Sequence, residues 1–234
     1  MKLPNRDIHN HLLPGVDDGF RHAEDSLRAI EKMAAAGVKE FIFTPHMNPD
    51  VYPEESEEHF KQVYADFSAR IPAEWGVKTS LAAEYMVVND FERRVEHPET
   101  LLHWPDGSIL IEMSYYFRSE NLEQAVFELV MAGFKPILAH PERYLYQAGD
   151  VGWFDRLKDM GCRLQMNCMS LSGCYGPDSV KILAHLLKHD LYDFVATDLH
   201  TLGQLQKIQD LKVDKKISRL VEKLLSVDTL NVIQ

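Results

Sequence analysis

Cysteine is scarce in this chain: Cys162, Cys168 and Cys174 are the only three in 234 residues. An odd number in a chain of this length argues against a disulfide framework and for a reducing compartment, with thiols expected to be buried rather than reactive. No run approaches the ~18 apolar residues of a membrane span. The start MKLPNRDIHN carries no apolar core behind its charges, so a cytoplasmic protein is expected and no membrane insertion. A basic surplus is missing as well. With 25 Lys and Arg against 36 Asp and Glu, the net charge of -11 opposes attraction to nucleic acid phosphates or anionic lipids, and neither is expected as a partner. Repeats, low-complexity tracts and linkers rich in Gly and Ser are also absent, so a single domain over 1–234 is expected.

What is present is an alternation of short apolar runs with longer segments of helical period, which predicts an α/β fold with parallel strands and helices packed outside them. The expected strands are 7–9, 40–44, 79–85, 108–113, 135–140, 163–169 and 193–198. Helices are expected over 23–37, ending at Gly37, over 53–70, with Pro53 and acidic residues at its start, over 121–133, ending at Gly133, over 177–190, and over about 213–226. The lysines of the last helix read as a solvated face. Seven βα units suit a closed barrel or an open doubly wound sheet. In both, function gathers at the carboxyl ends of the strands.

Those ends are unusual here. The first strand runs into His9-x-His11, whose alternating side chains point to one side. The second is followed by His46, the third reaches Glu84, the fourth Glu112, the fifth His140, and the last Asp198-x-His200. Any one of these has an ordinary explanation: a glutamate after a strand is usually solvated, and a buried histidine usually hydrogen-bonded. Together they would repel and desolvate badly without cations, which makes bound divalent metals the economical reading. With an aspartate from DIHNHLLPGVDDG the candidates number nine, more than the about four to six ligands of one ion. His22, His59, His97, His103, His185 and His189 lie away from these ends. His185 and His189 are four apart on a helix but lack the glutamate of a zinc-protease arrangement.

The stretches DIHNHLLPGVDDG, FTPHMNP, AAEYMV, HPERY and TDLH, in this order from Asp7 to His200, resemble the PHP (polymerase and histidinol phosphatase) superfamily. Within it they are most similar to the manganese-dependent bacterial tyrosine-protein phosphatases of the CpsB/YwqE type. The resemblance implies a distorted (β/α)7 barrel, the PHP fold, holding three divalent metals, with Mn2+ favoured and Fe, Zn, Co or Mg as alternatives. It implies one metal on His9, His11, Glu84 and Asp198. A second would sit on Glu84, Glu112 and His140, and a third on Asp18, His46 and His200. Asp18 is preferred to its neighbour Asp17 only by the family pattern. Two departures stand out: the sulfur-rich QMNCMSLSG after the sixth strand, and Thr201 after TDLH.

The expected reaction is hydrolysis of protein phosphotyrosine by in-line attack of a metal-bridging hydroxide. The substrate would be a bacterial tyrosine kinase, such as the cytoplasmic tail of a membrane-associated one, or another regulator of polysaccharide synthesis. His46, Asp198 and Arg143 are assigned to the catalytic centre. Arg143 would donate a forked pair of hydrogen bonds to phosphate, the competing reading being an ion pair with a carboxylate such as Glu142. A cysteinyl-phosphate mechanism needs the pattern Cys-x5-Arg, but Cys168, Cys174 and Val180 stand six residues beyond the three cysteines. Met47, Tyr115, Tyr116, Phe117 and Tyr144 could line a phosphotyrosine pocket, although packing is the commoner use of such residues. The alternatives are a phosphatase for a small phosphomonoester such as histidinol phosphate, and a metal-holding regulator that binds phosphotyrosine without turnover. A generic amidohydrolase barrel would place lysine where Glu112 stands.

Overall fold

The structure is a computed structural model that describes residues 1–88 and 91–228. The strands are β1 (Arg6–Asp7), β2 (Glu40–Phe43), β3 (His46–Met47), β4 (Lys78–Leu81), β5 (Glu84–Met86), β6 (Ser108–Glu112), β7 (Lys135–Ala139), β8 (Arg163–Asn167) and β9 (Phe194–Ala196). The helices are α1 (Ala23–Ala35), α2 (Glu57–Ser68), α3 (Phe91–Val95), α4 (Leu122–Met131), α5 (Trp153–Asp159), α6 (Pro177–Lys188), α7 (Leu202–Asp210) and α8 (Lys215–Asp228). Every strand pairing is parallel. Three strands pair in the order β1-β2-β4 and six in the order β3-β5-β6-β7-β8-β9.

Two expected strands are broken. The 40–44 run stops at Phe43 because Thr44 sends its N–H to Asn10 O at 3.1 Å and Pro45 has none to give, and pairing resumes at His46. The 79–85 run breaks at Ala82 and Ala83. The register survives the gap: Phe43 faces Leu81 and His46 faces Glu84, with Ala82 N donating to Phe43 O and Glu84 N to Pro45 O. On the far side, Asn10 bridges Leu199 in parallel sense, Asp198 N donates to His9 O at 2.8 Å, and the Thr197 N–H and hydroxyl both donate to the Asp7 carboxylate.

Alternation along each strand divides the apolar residues into two sets. Ile109 and Ile111 join the large core beneath the helices. Leu110 instead joins a smaller cluster with Ile8, Ile42, Ala82, Trp104, Ile137, Ala139, Phe194 and Ala196. Two residues further along the same faces stand Glu84, Glu112 and Asp198, so an apolar plug underlies the polar rim.

Gly37 and Gly133 follow α1 and α4 at φ 106° and 88°, conformations that favour glycine. The second helix does not start at Pro53. Ser56, whose hydroxyl accepts from His59 N, caps it instead, since an N-cap oxygen outcompetes a proline with nothing to cap behind it. Helices α3, α5 and α7 are short and were not expected. Cys162 and Cys168 are buried as expected, but Cys174 is exposed: the chain there has left β8 for a surface turn. No helix among the described residues is long and apolar enough to cross a membrane.

Candidate metal centre

The nine candidate ligands come together at the carboxyl end of the strands. His9 and His11 follow β1, and the loop after them folds back: Gly15 N donates to Phe20 O and Phe20 N to His11 O. This brings Asp17 and Asp18 beside the two imidazoles. Gly19 is required at that crossing, because a Cβ there would overlap His11 O and come within 2.5 Å of His11 Cβ. His140 and Asp198, at the ends of β7 and β9, adopt left-handed φ values of 32° and 49°, a costly conformation for residues with a Cβ and one typical of functional positions.

Four groups of donor atoms each lie within 4.8 Å of one another: His11, Asp18, His46 and His200; His9, His11 and Glu84; His9, His140 and Asp198; and His46, Glu84 and Glu112. Glu84 is central. Its Oε2 is 3.1 Å from His9 Nε2 and from His46 Nδ1, and its Oε1 is 3.0 Å from His140 Nε2. Asp198 Oδ1 lies 3.4 Å from His9 Nε2 and 3.3 Å from His11 Nε2. Asp18 Oδ1 is 3.5 Å from both His46 Nε2 and His200 Nε2, and His46 Nδ1 is 2.8 Å from Glu112 Oε1.

Burial opposes the charge on His9, His11, His46, Glu84 and Asp198, and the pull of oppositely charged neighbours outweighs it. Desolvation would raise the Glu84 and Asp198 carboxyls, but His9 and its neighbours hold both well below the usual carboxylate range. Desolvation would lower His46, yet Glu112 and Glu84 bring it up to about 9. His9 is raised by Glu84 and Asp198, and His11 first by Asp17, each against burial. The protein without cations thus holds protons where cations would sit. Among the described residues, Glu84 Oε2, both Glu112 oxygens, His46 Nδ1 and His140 Nδ1 are buried without a well-directed hydrogen bond, although Glu84 Oε2 and Glu112 Oε1 lie within ion-pair distance of His46 Nδ1. Unsatisfied buried carboxylate and imidazole atoms facing one another are what divalent cations satisfy, so the donor set fits metal.

Asp17 and Asp18 divide the work that spacing left open. Asp18 faces His46 and His200, whereas Asp17 accepts from His11 Nδ1 at 2.7 Å and from the N–H groups of Gly19 and His46. Gln165 Oε1 meets His9 Nδ1 at 2.8 Å. Such contacts fix which imidazole nitrogen faces the centre. Asn167 donates to Asp198 Oδ2 at 2.7 Å, and Gln204 ties its amide to His200 N and Asp198 O. Sequence offered Asp17 only as an alternative ligand and gave Gln165, Asn167 and Gln204 no role.

Arg143 reaches the same rim. Its Nη1 donates to Asp198 Oδ2 at 2.9 Å, and its guanidinium lies 4.1 Å from the Tyr115 ring centre and 4.7 Å from that of Tyr175. Glu142 is not its partner: that carboxylate is buried and accepts from Asn167 N, Ser170 Oγ and Tyr192 OH. Of the pocket candidates, Met47 and Tyr144 are packed in the core. Tyr116 and Phe117 are 91% and 68% exposed, and Phe117 lines an open cleft of about 730 Å³ with Met86 and Ser114.

A family model described as capsular polysaccharide synthesis, CpsB/CapC, matches residues 5–233. The chain belongs to the CpsB/CapC family. Among curated relatives, the tyrosine-protein phosphatase YwqE of Bacillus subtilis (strain 168) is 27% identical over 84% of this chain and 77% of its own length. The tyrosine-protein phosphatase CpsB of Streptococcus pneumoniae is 27% identical over 95% of each. A solved structure described as YwqE from B. subtilis and CpsB from S. pneumoniae, metal-dependent tyrosine phosphatases, superposes with a TM-score of 0.72 at 24% identity, over 97% of this chain and 96% of that one. A phosphotriesterase homology protein from Escherichia coli shares the fold more distantly, with a TM-score of 0.52 at 12% identity over 93% and 90% of the two chains. This CpsB/CapC chain therefore carries an α/β fold of parallel strands, shared with its relatives, and a rim of candidate metal ligands at their carboxyl ends.

Proposed function

We propose that this CpsB/CapC chain is a metal-dependent phosphatase acting on protein phosphotyrosine. The observation that carries the reading is the meeting, at one strand rim, of imidazoles and carboxylates whose donor atoms cluster within 4.8 Å, several of them buried without a well-directed hydrogen bond, with a guanidinium bonded to one of the carboxylates. The names of the family's relatives supply the phosphotyrosine. The continuous β2-to-β5 register and the bonds between the ends of β1 and β9 support treating the two sheets as one distorted (β/α)7 barrel, in a single domain over 1–234.

Three divalent cations are the proposed complement, Mn2+ first. His9, His11, Glu84 and Asp198 would hold one, Glu84, Glu112 and His140 a second, and Asp18, His46 and His200 a third. Bound there, divalent cations supply Lewis acidity toward phosphoryl oxygens and an acidified water. The chain's own contribution is positional. Asp17 and Gln165 hold His11 and His9 at their outer nitrogens, and Arg143 presents a fixed pair of N–H donors to phosphate. The phenolate leaving group departs without strong protonation, its parent pKa being about 10. The exposed Phe117 lining an open cleft favours a protein segment as substrate, and the cytoplasmic tail of a tyrosine kinase is the proposed one.

The test compares hydrolysis of a phosphotyrosyl peptide with that of histidinol phosphate, first with Mn2+ and then with chelator. Phosphotyrosine is expected to be preferred, the rate to vanish on metal removal, and His140→Ala and Asp198→Ala to be inactive. Turnover that survives complete metal removal would overturn the mechanism, and a strong preference for histidinol phosphate would overturn the substrate.

A further inference from the structure

The environment of Arg143 is more elaborate than an ion pair requires. An arginine beside a carboxylate needs only that carboxylate, yet here the guanidinium lies over two tyrosine rings from different parts of the chain: Tyr115 from the loop after β6 and Tyr175 from the turn that follows β8 and its short 3-10 segment. The first ring is firmly placed. Tyr115 stacks on Tyr144, which stacks on Tyr146, at 6.2 and 6.1 Å between ring centres. Tyr144 OH accepts from Met113 N, and Tyr146 OH donates to Ser114 O, so the ladder is pinned to the backbone that leads from Glu112 to Tyr115. Tyr175 adds the second ring from just beyond the sulfur-rich segment that contains Asn167. That segment bonds Asp198 through Asn167 and so approaches the guanidinium a second time.

A guanidinium stacked on two π-faces loses most of its rotational freedom but keeps its in-plane N–H donors. One donor is taken by Asp198. The remaining edge is the part that can meet a phosphoryl group as a fork. We infer that Tyr115 and Tyr175 are positioning residues whose rings clamp Arg143 and hold its free edge for phosphate. The inference rests on the phosphatase reading for its substrate, but not for its geometry. It also gives a role to the departure QMNCMSLSG, whose continuation carries Tyr175.

Tyr175 is the cleaner probe, because the Tyr115 hydroxyl lies 3.3 Å from His140 Nε2. The experiment measures kcat and KM on a phosphotyrosyl peptide, and separately the affinity of the Mn2+-loaded protein for inorganic phosphate by titration calorimetry, which needs no turnover. Tyr175→Leu is expected to raise KM and weaken phosphate binding by about three- to tenfold, the size of one aromatic–guanidinium contact, with kcat within about twofold. Tyr175→Phe should restore both constants, since the ring and not the hydroxyl makes the contact. In an Arg143→Lys background, Tyr175→Leu should add nothing, because a flexible ammonium has no plane to clamp.

A loss in kcat alone, or a Tyr175→Leu penalty that persists in the Arg143→Lys background, would overturn the clamp. So would undetectable phosphate binding by the wild-type protein. Phosphate binding that responds to Tyr175 as expected in a protein that hydrolyses no phosphotyrosine would uphold the clamp and overturn the substrate reading instead.

Discussion

Asp17 shows how much a residue outside the ligand groups can decide. Its Oδ2 accepts from His11 Nδ1 and from His46 N, so it fixes the orientation of one candidate ligand and anchors the backbone of another. Its side chain is enclosed, while that of Asp18 is 59% exposed. Asp17→Asn preserves shape but turns an amide donor toward one of those groups. Metal affinity is expected to fall by about 10- to 100-fold, the usual cost of losing an outer contact to a ligand imidazole, with the fold retained. Metal titration followed by calorimetry checks this, and unchanged affinity would remove Asp17 from the account. Sequence could not separate Asp17 from Asp18, because adjacent aspartates on a loop have no periodicity to assign their directions. Gln165 and Asn167 were invisible for a related reason: their contacts to His9 and Asp198 cross 156 and 31 residues of chain.

Whole elements were more legible than their details. An apolar run ending in an acidic or imidazole residue marks the carboxyl end of a buried parallel strand: Glu112, His140 and Asp198 stand at or just past such ends, while Glu84 opens β5 after the break that follows β4. The breaks at Thr44 and Ala82 escaped because Ala82 and Ala83 carry no turn signal, and Thr44-Pro45 is compatible with an edge as well as a gap. Helix α7 escaped because it is short and polar. Its N-cap is Thr201, whose hydroxyl accepts from Gln204 N at 3.1 Å, which explains the polar residue after TDLH as a helix start. Thr201→Ala should therefore cost about 1 kcal/mol of stability while leaving KM within about twofold, as urea unfolding and steady-state kinetics would show. The loop between β1 and α1 is less forgiving. Gly19→Ala places a methyl against His11 O and His11 Cβ, where only backbone movement can relieve it. A loss of about 1 to 3 kcal/mol is expected together with weakened metal binding, and a variant as stable and as tightly metal-bound as wild type would refute the close packing of that loop on His11.

At the scale of the whole molecule, the rim couples stability to protons and to cations in opposite senses. In the metal-free protein, burial opposes the charge on His46, but Glu112 and Glu84 raise it from 6.5 to about 9. His9 and His11 move in the same direction. A group that binds its proton more tightly when folded stabilises the fold fully below its unfolded value, and loses that contribution as pH rises through its folded value. Metal-free stability should therefore decline between pH 6.5 and about 9, with His46 alone contributing at most on the order of 3 kcal/mol across that window. Asp7, raised to about 6 by burial, loses the last of its proton at the lower edge of the window and adds to the decline there in the same direction. Cations compete with the same protons, so their affinity should rise over the same interval, and with it the stabilisation that saturating metal confers. The expected result is a gap between the Tm with Mn2+ and the Tm with chelator that widens steadily from pH 6.5 to 9, driven from below by the metal-free protein. Parallel melting curves with a constant gap would mean that the imidazoles at the rim hold no protons for cations to displace, and the shared use of these nitrogens by protons and metals would fail with it.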